Sequence, residues 1–170
     1  AEKGAGARMT LETHKANSQS GFTIIEIMIV TMIIGILSAL VLPNIRTNAA
    51  RAKVSEAILA FGNCKNMVNE LYQSGGEPPG AGNWGCENET GPVSAYVNMI
   101  KTTDDGIIRI ELRGDPRLNN LEIALAPLDS TGSVVSGVGG VIKSWRCGNP
   151  TDLASLTYAL SPVYLPNSCR

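Results

Sequence analysis

The feature that most constrains this chain is a run of 21 residues, Phe22 to Leu42, in which Glu26 is the only charged side chain. An α-helix rises about 1.5 Å per residue, so this run extends roughly 30 Å, the thickness of a bilayer's hydrocarbon core. The run therefore predicts a membrane-spanning helix. A plain anchor and a cleaved secretory signal are the alternatives. A secretory signal fits poorly, because the apolar part of such a signal has only about 7–15 residues and is followed by a cleavage site of small residues. Here Pro43 follows the run and the helical pattern continues.

The segment ahead of the run is polar and slightly basic, with three Lys or Arg side chains against two Glu. Positive charge beside a span holds that end in the cytoplasm, so we expect the chain from Pro43 onward to lie outside. Since the sequence begins with Ala1, Met9 is a candidate start, with residues 1–8 as upstream sequence.

Glu26 is the anomaly within the apolar run. A carboxylate in the middle of a membrane costs about 2.5–3.5 kcal/mol, and less near the ends of the span. One interpretation is that the side chain reaches the interface, helped by the positive end of the helix dipole. The other is that it has a cationic partner, which the span lacks. Cleavage after Gly21 would create one, the new ammonium group of Phe22 on a neighbouring copy.

The residues from Gly21 to Glu26, followed by the apolar run, resemble the processing motif of type IV pilins and pseudopilins. The resemblance implies that a membrane-embedded prepilin peptidase cuts after Gly21 and methylates the amino group of Phe22. It also implies that Glu26 is the assembly carboxylate, and that an inner-membrane assembly platform polymerises the subunits. One departure concerns the leader, whose basic residues usually lie close to the glycine, whereas here the nearest is Lys15.

Helical periodicity continues past Pro43, which predicts one long helix over residues 22–74. The second half carries an apolar stripe at intervals of three and four residues: Val54, Ala57, Phe61, Cys64, Val68 and Leu71. Pro43 is expected to kink the helix, and Gly35 with Ala39 gives a small-residue spacing suited to close helix contact. The resemblance implies that the segment from Gly35 to Pro43 loosens when a filament forms; an ordinary kinked span explains both residues equally well.

The remainder of the chain predicts a small sheet. After a turn-rich loop over residues 75–92, strand-forming segments begin near Val93, Ile107, Leu121 and Val141. We expect an α+β fold, a long N-terminal helix packed on an antiparallel sheet of about four strands. The predicted organisation is a cleaved leader (1–21), a transmembrane and filament-core helix (22–43) and a globular pilin domain (44–170).

Two local motifs in this part have simpler explanations than a functional site. Asp104 and Asp105 suggest a cation site, but a hairpin turn with the following glycine explains them better. Asn88 begins an Asn-x-Thr acceptor pattern for glycosylation, which is too common by chance to indicate modification.

Four cysteines follow the span, and an even number in an exported segment indicates disulfides. Three pairings are possible. We favour Cys64 with Cys86 and Cys147 with Cys169, because each pair joins neighbours in the sequence. A four-cysteine zinc site requires short C-x-x-C pairs, which are missing from the sequence. The segment that ends the chain also resembles the disulfide-bounded C-terminal region of type IVa pilins, most of which have only this second pair.

The composition argues against an enzyme. The single histidine, His14, precedes the span, so no serine–histidine triad or histidine-ligated metal site exists after it. We expect no cofactor and no metal. Pilin subunits of the same kind, the membrane before assembly, and DNA or a host surface are the expected partners.

Direct DNA capture is a second hypothesis, with Lys143, Arg146 and Arg170 as the candidate contacts. The formal net charge of −1 offers no general attraction to phosphate. A minor pilin at the filament tip and a pseudopilin of a type II secretion system are the remaining alternatives. Pseudopilins commonly lack the terminal cysteine pair, which favours a pilin. The resemblance implies adhesion, twitching motility or DNA uptake, with a precursor in the inner membrane and a filament on the cell surface.

Overall fold

The computed structural model describes residues 21–148 and 156–169, without the side chains of residues 42–44. Residues 1–20 of the predicted leader, which include the candidate start Met9, and Arg170 lie outside the described residues. Contacts divide the chain into two units, Ala1–Ala39 and Leu40–Arg170, which are described separately below. The elements are α1 (Ile24–Leu59), α2 (Phe61–Gln73), β1 (Val97–Thr102), β2 (Ile108–Leu112), β3 (Glu122–Leu128), β4 (Ser144–Gly148) and two short 3-10 turns, Pro162–Tyr164 and Asn167–Cys169.

The four strands form one antiparallel sheet in the order β1-β2-β3-β4, which confirms the predicted α+β fold. Ile110 lies opposite Ile100 on one side and Ile123 on the other, so apolar side chains share one face of the sheet. These three side chains belong to the main apolar core together with those of the helices. The sheet therefore supplies one wall of the core.

The prediction of a single helix over residues 22–74 was wrong at one place. Helix α1 continues through Gly35 and Pro43 and ends at Leu59, and Ala60 lies in a turn before α2. The Ala60 N–H donates to the Ala57 carbonyl, three residues back, at 3.0 Å. A bond over three residues tightens the helix locally. Alanine is the best helix former, so no local preference marks this interruption in the sequence.

The apolar stripe continues across the interruption. Seven helix side chains are buried at intervals of three or four residues: Ala50, Val54, Ala57, Phe61, Cys64, Val68 and Tyr72. All but one of the predicted members are buried; Leu71 is half-buried, and the neighbouring Tyr72 takes its place in the core. The Tyr72 hydroxyl donates to the carbonyl oxygens of Asp105 and Val135, which explains how a polar atom is accommodated there.

Glycines end α2 and close the first hairpin. The N–H of Gly75 donates to the Tyr72 carbonyl and that of Gly76 to the Leu71 carbonyl, the hydrogen-bond pattern of a Schellman cap. In the hairpin, Asp104 and Asp105 form the turn that the sequence predicts, and Gly106 follows with a φ of +78°. A methyl group there would approach Val68 to 3.0 Å. Within the described ranges, no cluster of three or more acidic, Cys or His side chains suits a metal ion.

The structure contains both favoured disulfides. Cys64 of α2 is bonded to Cys86, and Cys147 of β4 to Cys169, each across 22 residues of sequence. Closing a loop of this length stabilises a fold by roughly 3 kcal/mol in the chain-entropy model. The first bond holds the loop after α2 against that helix, and the second holds the C-terminal turn against the edge of the sheet.

Glu87 reinforces the first disulfide. Its carboxylate accepts the N–H groups of Trp84 and Cys86, at 2.8 and 3.0 Å, and the hydroxyl of Thr102 in β1. Burial raises the pKa of Glu87, but these hydrogen bonds outweigh that effect and hold it below its ordinary value. An ionised carboxylate thus joins the loop to the first strand.

Asp115 makes a second tie, between the loop after β2 and α1. Its buried carboxylate lies 2.8 Å from the Lys53 ammonium and accepts the N–H of Arg117 at 3.0 Å. The hydrogen bond from Lys53 comes first among the causes that lower the pKa of Asp115, followed by that from Arg117. The ion pair connects residues 62 positions apart in the sequence.

We expect the stability of the globular unit to depend on pH through Asp115. Its pKa is lowered on folding, so the stabilisation is complete above the unfolded value of about 3.9 and is lost as pH falls through the folded value. Asp115→Asn should lower the free energy of unfolding by about 1–3 kcal/mol at neutral pH, because it leaves Lys53 without its counter-charge. The difference from the natural chain should shrink below about pH 4.

Denaturant unfolding of the full chain in detergent micelles, followed across pH, measures this dependence. The matched control is Glu56→Gln, since Glu56 is exposed and makes no ion pair among the described residues. A deficit in Asp115→Asn that is equal at pH 3 and pH 7 would contradict the assignment.

Candidate assembly site

A helix cap sets the start of α1, and it lies within the processing motif from Gly21 to Glu26. The Glu26 N–H lies 3.1 Å from the Thr23 carbonyl oxygen and 3.4 Å from the Thr23 hydroxyl. A threonine followed three residues later by glutamate is the sequence pattern of a capping box. This capping role of Thr23 was not predicted, although the pattern is readable in the sequence. The cap places the Glu26 carboxylate in the first turn, at the positive end of the helix dipole.

The helix that follows exposes its apolar side chains all around. Phe22 is 77% exposed, and every described side chain from there to Val41 is exposed as well. Ile24–Val41 is long and apolar enough to cross a membrane. Soluble proteins seldom expose apolar surface on this scale, so lipid or other protein must cover this segment in its working state.

Glu26 has no partner within the described part of the chain. Its carboxylate makes no hydrogen bond and no ion pair there. Thr31, a polar side chain further along the span, donates to the carbonyl oxygens of Ile27 and Met28, both at 3.0 Å. The hydroxyl is thus satisfied inside its own helix, whereas the Glu26 carboxylate has no such partner among the described residues.

Gly35 and Pro43 lie inside α1. A methyl group at Gly35 would meet no atom within 4 Å, so packing within the chain does not require a glycine there. A position of this kind, with Ala39 one turn later, admits a second helix at close range. Pro43 lies within α1, and its side chain is among those that the structure does not describe.

The candidate DNA contacts do not form one exposed basic surface in the described part. Lys143 is exposed just before β4. Arg146 pairs with Ala126 across the sheet and is half-buried, with its Nε shielded from solvent. Arg170 lies beyond the described residues. Of the two candidates that the structure describes, Lys143 is the exposed one.

Comparison with known proteins shows relatives along nearly the whole chain. Residues 50–170 match the pilin family of bacterial filament proteins, and residues 16–42 match the prokaryotic N-terminal methylation motif. The second match contains Gly21, Phe22 and Glu26.

Three relatives illustrate the likeness. The fimbrial protein EcpC of Eikenella corrodens is 32% identical over 163 residues, 89% of this chain and 91% of that protein. A fimbrial protein of Neisseria meningitidis serogroup A is 31% identical over 170 residues, 89% of this chain and 94% of that protein. The type IV major pilin protein PilE1 of Neisseria gonorrhoeae is 29% identical over 167 residues, 89% of this chain and 74% of that protein.

The match to a family of bacterial filament proteins over residues 50–170, and the likeness to a major pilin along most of the chain, identify a structural filament protein rather than an enzyme. With these matches, the chain belongs to the type IV pilin family and carries the prepilin processing motif.

Proposed function

We propose that this chain is the main subunit of a type IV pilus. The prepilin peptidase cuts after Gly21 and methylates Phe22, and the mature subunit polymerises with copies of itself. Two findings support this proposal. The methylation motif covers the junction between these residues. The relatives that share most of the chain include proteins named as major pilins and fimbrial proteins.

The cut supplies the charge that Glu26 lacks. The new ammonium group of Phe22 on one subunit pairs with the Glu26 carboxylate of its neighbour. At a separation of about 4 Å, two unit charges attract by about 1 kcal/mol in bulk water and about 4 kcal/mol at an effective dielectric constant of 20. In the proposed filament, the apolar side chains around Glu26 pack against neighbouring helices and exclude water from this contact, which moves the attraction toward the larger of the two figures.

The apolar surface of α1 provides the rest of the attraction. In the precursor, the inner membrane covers Ile24–Val41, and the assembly platform withdraws processed subunits from it. In the filament, the same helices pack against one another, with Gly35 and Ala39 at close contacts. The globular unit then faces solvent at the cell surface.

We further propose that the filament serves in adhesion, twitching motility or DNA uptake, the roles of this family. A tip-located minor pilin and a secretion pseudopilin are the alternatives. The bond between Cys147 and Cys169 and the matches to pilins over residues 50–170 favour a pilus subunit. The numbers of acidic and basic side chains are nearly equal, so the net charge does not favour binding to DNA.

The observation that carries the proposal is the Glu26 carboxylate, which has no partner in residues 21–148 and 156–169 and lies in the first turn of an exposed apolar helix. The experiment that tests it is to produce the Glu26→Ala chain as the sole pilin in a cell and to look for filaments.

A further inference from the structure

Two cations face each other across the first hairpin. Lys101 of β1 is paired directly with Arg109 of β2, and both alternate with core residues, so they lie on the sheet face opposite the core. Like charges in this position destabilise a sheet. Neither side chain makes an ion pair or hydrogen bond within residues 21–148 and 156–169, and the Arg109 Nε is buried there without an acceptor. An anion bound beside this half-buried guanidinium would accept the hydrogen bond that its Nε does not make.

A cavity of about 310 Å³ adjoins this pair. Its size is at the lower end of the range for small-molecule sites. Lys101 and Arg109 line it together with two carboxylates, those of Glu89 and Glu122, and with Thr157. The charged side chains come from a loop and three strands, which the fold brings together from distant parts of the sequence.

Hydrogen bonds fix two walls of the cavity. The N–H of Gly82 donates to the Thr102 hydroxyl at 3.1 Å, which holds the loop after α2 against β1. On the other side, the N–H of Thr157 donates to the Glu122 carboxylate at 3.2 Å, which holds the chain after β4 against β3. A cavity with walls held in this way requires little ordering when a ligand binds.

The charges of the lining indicate the class of ligand. Two cations and two carboxylates sum to zero, so a polyanion such as DNA is repelled as much as it is attracted. The two cations Lys101 and Arg109 suit a single carboxylate, since arginine binds carboxylates through two parallel hydrogen bonds. Glu89 and Glu122 then accept hydrogen bonds from neutral donors such as hydroxyl groups.

We propose that this cavity binds a sugar acid, a small polyhydroxylated molecule with one carboxylate. The carboxylate lies between Lys101 and Arg109, and ring hydroxyls donate to Glu89 and Glu122. This site is separate from the processing motif and from the candidate DNA contacts, and it does not depend on how the filament assembles.

Saturation-transfer NMR on the full chain in detergent micelles tests the proposal, with glucuronate as the probe. Glucose has the same ring without the charge, and we expect it to bind at least about tenfold more weakly, since a charge-assisted hydrogen bond contributes about 1.5–3 kcal/mol. Glutamate and inorganic phosphate are the other comparisons, and both should bind more weakly than glucuronate. Equal binding of glucuronate and glucose, or tighter binding of glutamate or phosphate, would overturn the assignment.

Two variants locate the site. Lys101→Gln and Arg109→Gln should each weaken glucuronate binding at least about tenfold, whereas the control Lys143→Gln, which removes an exposed cation elsewhere, should leave it unchanged. Circular dichroism reports whether each variant folds. Should Arg109→Gln fail to fold, Lys101→Gln on the first strand decides the question. Unchanged binding in a folded Lys101→Gln chain would refute the proposal.

Discussion

Cells whose only pilin carries Glu26→Ala are expected to contain processed subunits in the membrane and to lack surface filaments. In the proposed mechanism, the substitution removes the carboxylate that pairs with the Phe22 ammonium of a neighbouring subunit, and it does so at every contact along the polymer. A loss of about 3 kcal/mol lowers the association constant for each added subunit more than about a hundredfold. Electron microscopy of cell surfaces and immunoblots of sheared and membrane fractions measure the outcome.

The matched control is Glu56→Ala, which removes a carboxylate from an exposed position later in the same helix. We expect this chain to be cut and to form filaments as the natural one does. Normal numbers of filaments from the Glu26→Ala chain, produced alone, would refute the charge-pair mechanism.

Replacing Gly21 with serine should leave an uncut precursor in the membrane. A methyl group at Gly21 would meet no atom within 4 Å, so the fold does not require glycine at this position. In the proposed processing, the requirement for glycine comes from the peptidase, whose site must accept the residue before the cut. Without the cut, the amide nitrogen of Phe22 stays in a peptide bond and carries no charge, so filaments should be missing as well.

Gel mobility and intact mass of the membrane-bound chain measure the cut. Gly62→Ser is the matched control, because a methyl group at Gly62 in α2 also meets no atom within 4 Å. That variant should be processed normally. A Gly21→Ser chain with the mobility and mass of the mature natural subunit would rule out the assigned cleavage position.

The sequence was sufficient for the features that depend on local pattern. The apolar run, the stripe from Val54 to Val68 and the turn at Asp104 follow from spacing and from turn chemistry. The processing motif is readable for the same reason, because a peptidase acts on a short contiguous segment. Both favoured cysteine pairs join neighbours in the sequence, which limited the choice.

The features that the sequence did not disclose depend on contacts between distant segments. The interruption at Ala60 lies at a residue with high helix propensity. The ion pair of Lys53 with Asp115 joins a helix to a loop 62 residues away. Lys101 lies opposite Arg109 because of the register between β1 and β2. A shift of one residue in that register would separate the two cations.

Electron cryomicroscopy of the natural filaments, at a resolution that shows side chains, tests the central claim most directly. The quantity to measure is the distance between the Phe22 nitrogen of one subunit and the Glu26 carboxylate of its neighbours. We expect the nitrogen to be terminal and methylated and to lie within about 4 Å of a neighbour's carboxylate oxygen. A separation beyond about 10 Å, or a subunit in the filament that retains the residues before Phe22, would contradict the mechanism.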